Sequence, residues 1–176
     1  MDTLCNKYSL SVPGPGPSND IDCVQNCQED WEANGQYCYF WSNSSDGWND
    51  AEQICRGKGG YLASVTSSAA NEYILRELAK RASAEELWIG GTDEELEGTW
   101  KWTDGSAWGF SFWDEDRPST NRNQNCLQYY SYHNHNRTKW YDYGCDQLLR
   151  FLCSQKICSG KYTNMHLCSG NSKIKF

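Results

Sequence analysis

Apolar spacing divides this chain into a helical first half and a strand-rich second half. Within DGWNDAEQICRGKGG, Trp48, Ala51, Ile54 and Cys55 recur at helical spacing, Asp46 stands where a cap is needed, and Gly57, Gly59 and Gly60 end the run. TSSAANEYILRELAKRA aligns Ala70, Ile74 and Leu78 on one face with Tyr73 and Glu77 alongside, which predicts a second amphipathic helix starting at Ser67 or Ser68. Ahead of both helices, CYFWS (38–42) is short, aromatic and bounded by Gly35 and Asn43, as a strand would be. LWIGG, TWKWTDG, CLQYYSY, KWYDYGC and LRFLC then follow as strand-like pieces separated by Gly, Asn and Asp.

Two stretches carry no period. Residues 1–22 contain SVPGPGPSND and predict an irregular arm. Between Asp104 and Cys126 lies a long polar loop region, and a loop of that length in a compact domain is usually functional or pinned by disulfides. Residues 154–176 form a polar tail with Cys158 and Cys168. Two helices followed by irregular antiparallel strands make an α+β domain, and no internal repeat is visible.

Composition sharpens this. Nine Trp and eleven Tyr in 176 residues predict a core of large rings rather than aliphatic layers. Ten cysteines are far above cytosolic usage, and their even number fits complete pairing in an oxidising compartment. Only Cys23 and Cys27 have the short spacing of zinc ligands, and no second such pair stands nearby. The opening MDTLCNKYSL lacks an apolar leader, so Met1 is read as a start replacing a removed signal peptide, and no stretch is apolar enough to span a membrane. Asn43-Ser-Ser and Asn136-Arg-Thr are candidate glycosylation sites and fit secretion. A net charge of −7 argues against nucleic-acid or anionic-membrane partners, which need clustered Lys and Arg. No nucleophile elbow, phosphate loop or His-Glu metal motif is present, so catalysis is not expected.

From Cys27 onward the motifs occur in a telling order: QEDWEANGQY between Cys27 and Cys38, an aromatic strand, a helix carrying Cys55, LASV, WIGG, EGTWKWTDGS, Trp113 ahead of a proline, Cys126, WYDYGC and FLC. The set resembles the long form of the C-type lectin-like domain over residues 27–153. The resemblance implies a disulfide-rich α+β fold with two helices, two small antiparallel sheets and a long loop region. It leaves 1–26 as an N-terminal arm and 154–176 as a C-terminal tail with an extra disulfide. It also implies the pairs Cys27–Cys38, Cys55–Cys153 and Cys126–Cys145. Cys5, Cys23, Cys158 and Cys168 fall outside the family core and allow three pairings, of which Cys5–Cys23 with Cys158–Cys168 is slightly favoured.

Sugar-binding members of this family hold calcium with an acid-Pro-amide triplet, an acid before the loop cysteine and an Asn-Asp pair in the next strand. By resemblance these positions fall on Arg117-Pro118-Ser119, Gln124 and Tyr141-Asp142, so only Asp142 is retained. Calcium needs six to eight converging oxygens, and one carboxylate facing an arginine cannot repay the ion's dehydration. The principal site is expected to be lost and no cofactor is expected. Calcium stays a candidate at two weaker places, the acids Asp114, Glu115 and Asp116, and an auxiliary site using Asp93 and Glu97 with Thr120, Gln124 and Asn125.

The chain is therefore expected to be a secreted or extracellular recognition module for a protein or glycan, with no nucleic-acid or membrane-inserted partner. Its expected contact residues are Arg117, Ser119, Gln124, Tyr141 and Asp142, with the aromatic hairpin residues Tyr130, Tyr132 and His133 beside them. An arginine there suits a carboxylate or sulfate. The alternative is a calcium-dependent lectin with a rearranged long-loop site. An ice- or mineral-binding role, known among relatives, would need a flat and weakly charged face that the sequence does not display.

Overall fold

A computed structural model describes residues 23–81, 86–131 and 137–158. Its elements run β1 (Cys23–Val24), β2 (Glu32–Asn34), β3 (Tyr37–Trp41), α1 (Trp48–Gly57), β4 (Tyr61–Leu62), α2 (Ser68–Lys80), β5 (Glu86–Thr92), β6 (Lys101–Trp102), β7 (Cys126–Ser131), β8 (Thr138–Tyr143) and β9 (Arg150–Ile157). The backbone order is β2-β3-β9-β5-β7-β8, with β1 and β4 also on β9 and β6 on β5. Most pairings are antiparallel, and the exceptions are β5 and β1, which each run parallel to β9. This is the disulfide-rich α+β fold, two helices against a mixed sheet.

The sheet is covered on both faces, which explains why its strands lack clean polar alternation. Leu87 and Ile89 of β5, Leu127 and Tyr129 of β7 and Leu152 of β9 enter one cluster with Tyr73, Ile74 and Leu78 of α2. Their neighbours Trp88, Cys126, Phe151 and Cys153 point the other way, into a second cluster with Trp48, Ala51 and Cys55 of α1. WIGG contains two glycines because the layers approach closely there: a Cβ on Gly91 would lie 2.5 Å from Leu127 Cδ2.

Local signals decide the helix ends. Ser67 caps α2, its hydroxyl accepting from the Ala70 N–H at 3.2 Å. Asp46 does not cap α1. Gly47 takes that position without a side-chain bond, because Asp46 is drawn into a backbone bridge with Leu149 and its carboxylate accepts from Ser44.

Disulfides join Cys27 to Cys38, Cys55 to Cys153 and Cys126 to Cys145. The fourth corrects the favoured outer pairing. Cys23 bonds Cys158, not Cys5, across Cα atoms 5.0 Å apart. The cause lies in β9, which continues as a strand to Ile157 where a tail was expected and takes Cys23 alongside as a parallel neighbour of Lys156. Cys5 and Cys168 lie outside the described residues.

Candidate functional site

The long loop is held to the sheet by rings and by two backbone bonds. Its first half is less polar than expected: Trp108, Phe110 and Phe112 are partly buried, while Ala107, Gly109 and Ser111 between them are exposed. This two-residue period identifies an extended segment laid on the core. Trp140 of β8 receives Phe110 and Trp113 edge-on at 5.6 and 5.9 Å, with Trp102 edge-on at 5.6 Å from beneath. The Trp140 N–H donates to the Phe112 carbonyl at 3.0 Å and the Asp114 N–H to the Trp140 carbonyl at 3.2 Å, which closes the open edge of β8. Asp114 therefore arrives beside Tyr141, whose hydroxyl donates to its carboxylate.

Beyond Asp114 the chain turns. Asp116 adopts the left-handed conformation, which a short polar side chain tolerates, and the Arg117–Pro118 peptide is cis. The turn brings Arg117 back over β8, where its guanidinium carbon lies 4.7 Å from the centre of the Tyr141 ring. Its Nη1 donates to Asp142 Oδ1 at 3.0 Å. The other oxygen of Asp142 receives the Ser119 backbone N–H at 2.9 Å and the Ser119 hydroxyl at 2.5 Å. Asp142 is fully buried, so this carboxylate has exchanged water for three protein donors, one of them cationic.

Gln124 completes the ring. Its Oε1 lies 2.7 Å from the Ser119 hydroxyl, which has one proton and two acceptor neighbours. The carboxylate is the stronger acceptor and takes the proton. Turning the Gln124 amide over makes it a donor to Ser119, and the network is then consistent. Tyr130 packs against Tyr141 at 5.0 Å, and burial followed by the bond to Asp114 raises the Tyr141 hydroxyl to a pKa of about 12. Arg117, Ser119, Gln124, Tyr130, Tyr141 and Asp114 thus form one connected network around the buried Asp142. Tyr132, His133, His135 and Asn136 lie outside the described residues.

The principal calcium position does not fit its ion. Arg117 and Ser119 already donate to both oxygens of Asp142, so a divalent cation would have to displace the guanidinium to use that carboxylate. By resemblance the sequence alone sets Arg117 against the one retained carboxylate; the structure adds that the two form an ion pair, with Ser119 on the carboxylate's other oxygen.

The auxiliary position combines oxygens that suit a cation with too few buried acids. Asp93 is 3 % exposed, and its Oδ2 accepts from the Gly98 N–H at 2.8 Å, but its Oδ1 is buried without a hydrogen-bond partner among the described residues. Asn125, whose carbonyl accepts the Asp93 N–H at 3.3 Å, also has a buried Oδ1 without a hydrogen-bond partner among the described residues. Burial raises the Asp93 pKa, opposed by the Gly98 bond and reinforced by the charge of Asp142. Two such oxygens suit a cation, yet Glu97 and Thr120 are exposed and Asp93 is the single buried acid there. Among the described residues, no three His, Cys, Asp or Glu side chains converge as a metal group.

The family model for the lectin C-type domain matches residues 44–155. The chain belongs to that family. It is 33 % identical over 132 residues to lectin BRA-3 of Megabalanus rosa, covering 73 % of this chain and 76 % of that one. Among solved structures, a calcium-independent type II antifreeze protein superposes with a TM-score of 0.67 at 28 % identity, over 76 % of this chain and 96 % of the other. A Ca2+-dependent type II antifreeze protein in its Ca2+-free form gives 0.63 at 29 %, over 73 % and 98 %. The fold therefore occurs in proteins described as calcium-dependent and calcium-independent alike, and the residues at each position must decide. The lectin C-type domain is a recognition module, and no helix among the described residues is long and apolar enough to cross a membrane.

Proposed function

We propose that the protein is an extracellular recognition module that meets a protein or glycan by direct contact on the long-loop face, without calcium at the principal position. The observation that carries this reading is the saturated, fully buried carboxylate of Asp142, held by Arg117 and Ser119. A lectin that binds sugar through a metal needs that carboxylate free to coordinate. The protein has instead an internal cation, and the ordered surface around it offers Tyr130, Tyr141, Gln124 and the outer edge of Arg117 as contacts. Because Nη1 is committed to Asp142, Arg117 offers an anion only its remaining N–H groups, which favours an acceptor presented by a larger ligand over a bare ion.

The test is binding to arrayed glycans and to extracellular proteins, in millimolar calcium and in EDTA. Direct contact predicts equal retention in both, and loss of retention in Tyr141→Ala. Retention that EDTA abolishes overturns the reading and points to calcium at Asp93 and Asn125, whose unpartnered oxygens are the observation favouring a calcium-dependent alternative.

A further inference from the structure

We infer that Asn43 carries an N-linked glycan. The turn between β3 and α1 is held at both ends and free at its tip. At one end the Ser42 N–H donates to the Phe151 carbonyl at 2.9 Å, and the Ser42 hydroxyl accepts from the Phe151 N–H at 2.8 Å. At the other, Asp46 and Leu149 exchange backbone bonds of 3.0 and 3.2 Å. The three residues between these anchors are the sequon itself, Asn43-Ser44-Ser45, and all three are exposed. Ser44 bonds within the turn, its hydroxyl donating to Asp46 Oδ2 at 2.9 Å and its carbonyl accepting from the Ser42 hydroxyl at 2.8 Å. Neither the Asn43 amide nor the Ser45 hydroxyl makes a hydrogen bond to any described residue.

That division of labour is what the modification requires. Transfer breaks the bond between the anomeric carbon of an oligosaccharide and its polyprenyl diphosphate carrier. It forms a bond from that carbon to Asn43 Nδ2, which gives up a proton as the diphosphate leaves. The enzyme recognises the hydroxyl two residues after the asparagine, so Ser45 must be reachable, and the folded protein must hold a bulky polar group without losing contacts. At Asn43 no contact is lost, because the fold uses the backbone on either side and Ser44 but not the amide.

The inference rests on the extracellular reading, and the experiment separates the two. Fusing the full chain to an exogenous signal sequence sends it through a eukaryotic secretory pathway wherever the native chain resides. Asn136→Gln removes the other sequon, so the remaining glycan can only be at Asn43. Glycopeptide mass spectrometry should then find the 43-containing peptide occupied in most molecules, with Ser45→Ala abolishing occupancy and Asn43→Gln leaving the thermal midpoint unchanged. An unmodified Asn43 in secreted, folded Asn136→Gln protein overturns the assignment. A lowered midpoint in Asn43→Gln expressed in bacteria would also count against it, since it would reveal a structural use of the amide.

Discussion

Arg81 and Arg117 make the same pair of contacts in very different surroundings. Arg81 lies 4.1 Å from the Trp41 ring and reaches Glu32 at 2.6 Å; Arg117 lies 4.7 Å from the Tyr141 ring and reaches Asp142 at 3.0 Å. The first pair is tighter by distance, yet Glu32 is 47 % exposed and Asp142 not at all. Water solvates Glu32 whether or not Arg81 is present, so that pair gains little over its separated partners. Asp142 has no water to return to. Its carboxylate is bonded by Arg117 and Ser119, so the loop carrying both must be in place for the strand to fold with that group inside. Burial, not distance, separates a decorative ion pair from one that organises a surface.

The sharpest way to break this contrast is Arg117→Ala. Leaving a buried carboxylate without its cation should cost about 3 kcal/mol, the low end of the range because the guanidinium is itself partly exposed. At roughly 2–4 °C per kcal/mol for a chain of this size, thermal unfolding should shift down by roughly 6–12 °C. Adding Asp142→Asn to the same protein should recover much of the loss, because the charge that needed a partner is gone. A single variant that unfolds at the parent temperature would mean that the pair organises nothing.

Ser119→Ala removes a hydroxyl donor from the same buried carboxylate but leaves the backbone N–H and the guanidinium, and should cost about 1.5 kcal/mol. Glu32→Ala, the mirror experiment at the exposed pair, should cost about 0.5 kcal/mol despite the shorter contact. Denaturant titration of both variants gives the ratio directly. A Glu32 variant as damaging as the Ser119 variant would show that contact distance outweighs burial.

The parts of this molecule written in local pattern could be read from it, and the parts written in distant pairing only where the family resemblance supplied them, as for the three core disulfides. Both helices follow from spacing and from the Ser67 cap, and the strand around WIGG from its run of apolar residues bounded by turns. Asp46 misled because a residue of capping type was taken by a bridge to Leu149, about a hundred residues away in sequence. Cys23–Cys158 depends on a strand of two residues lying parallel to the end of β9, and two residues carry no periodic signal. The alternation of Ala107, Trp108, Gly109, Phe110, Ser111 and Phe112 was present in the sequence but is masked by small residues on the exposed side. Asp142 was recognised as the retained acid. Its facing arginine, 25 residues earlier, follows from the family resemblance, but the ion pair and the two Ser119 bonds that complete it depend on the turn at 114–119, which has no periodic signal.

Calcium gives the smallest expected effect and the clearest division between the two parts of the loop. An ion at a hundred times its dissociation constant would add about 2.7 kcal/mol, which here means roughly 5–10 °C in the thermal midpoint. With Asp142 engaged by Arg117 and Ser119, addition of millimolar calcium after EDTA should leave the midpoint unchanged. If the midpoint rises, Asp93→Asn locates the ion. Loss of the rise in that variant would assign calcium to the unpartnered oxygens of Asp93 and Asn125 and leave the Arg117 surface as it is. A rise that survives Asp93→Asn but vanishes in Asp114→Asn would mean that calcium competes with the Tyr141 hydroxyl for Asp114, and the direct-contact surface would then have to rearrange when the ion binds.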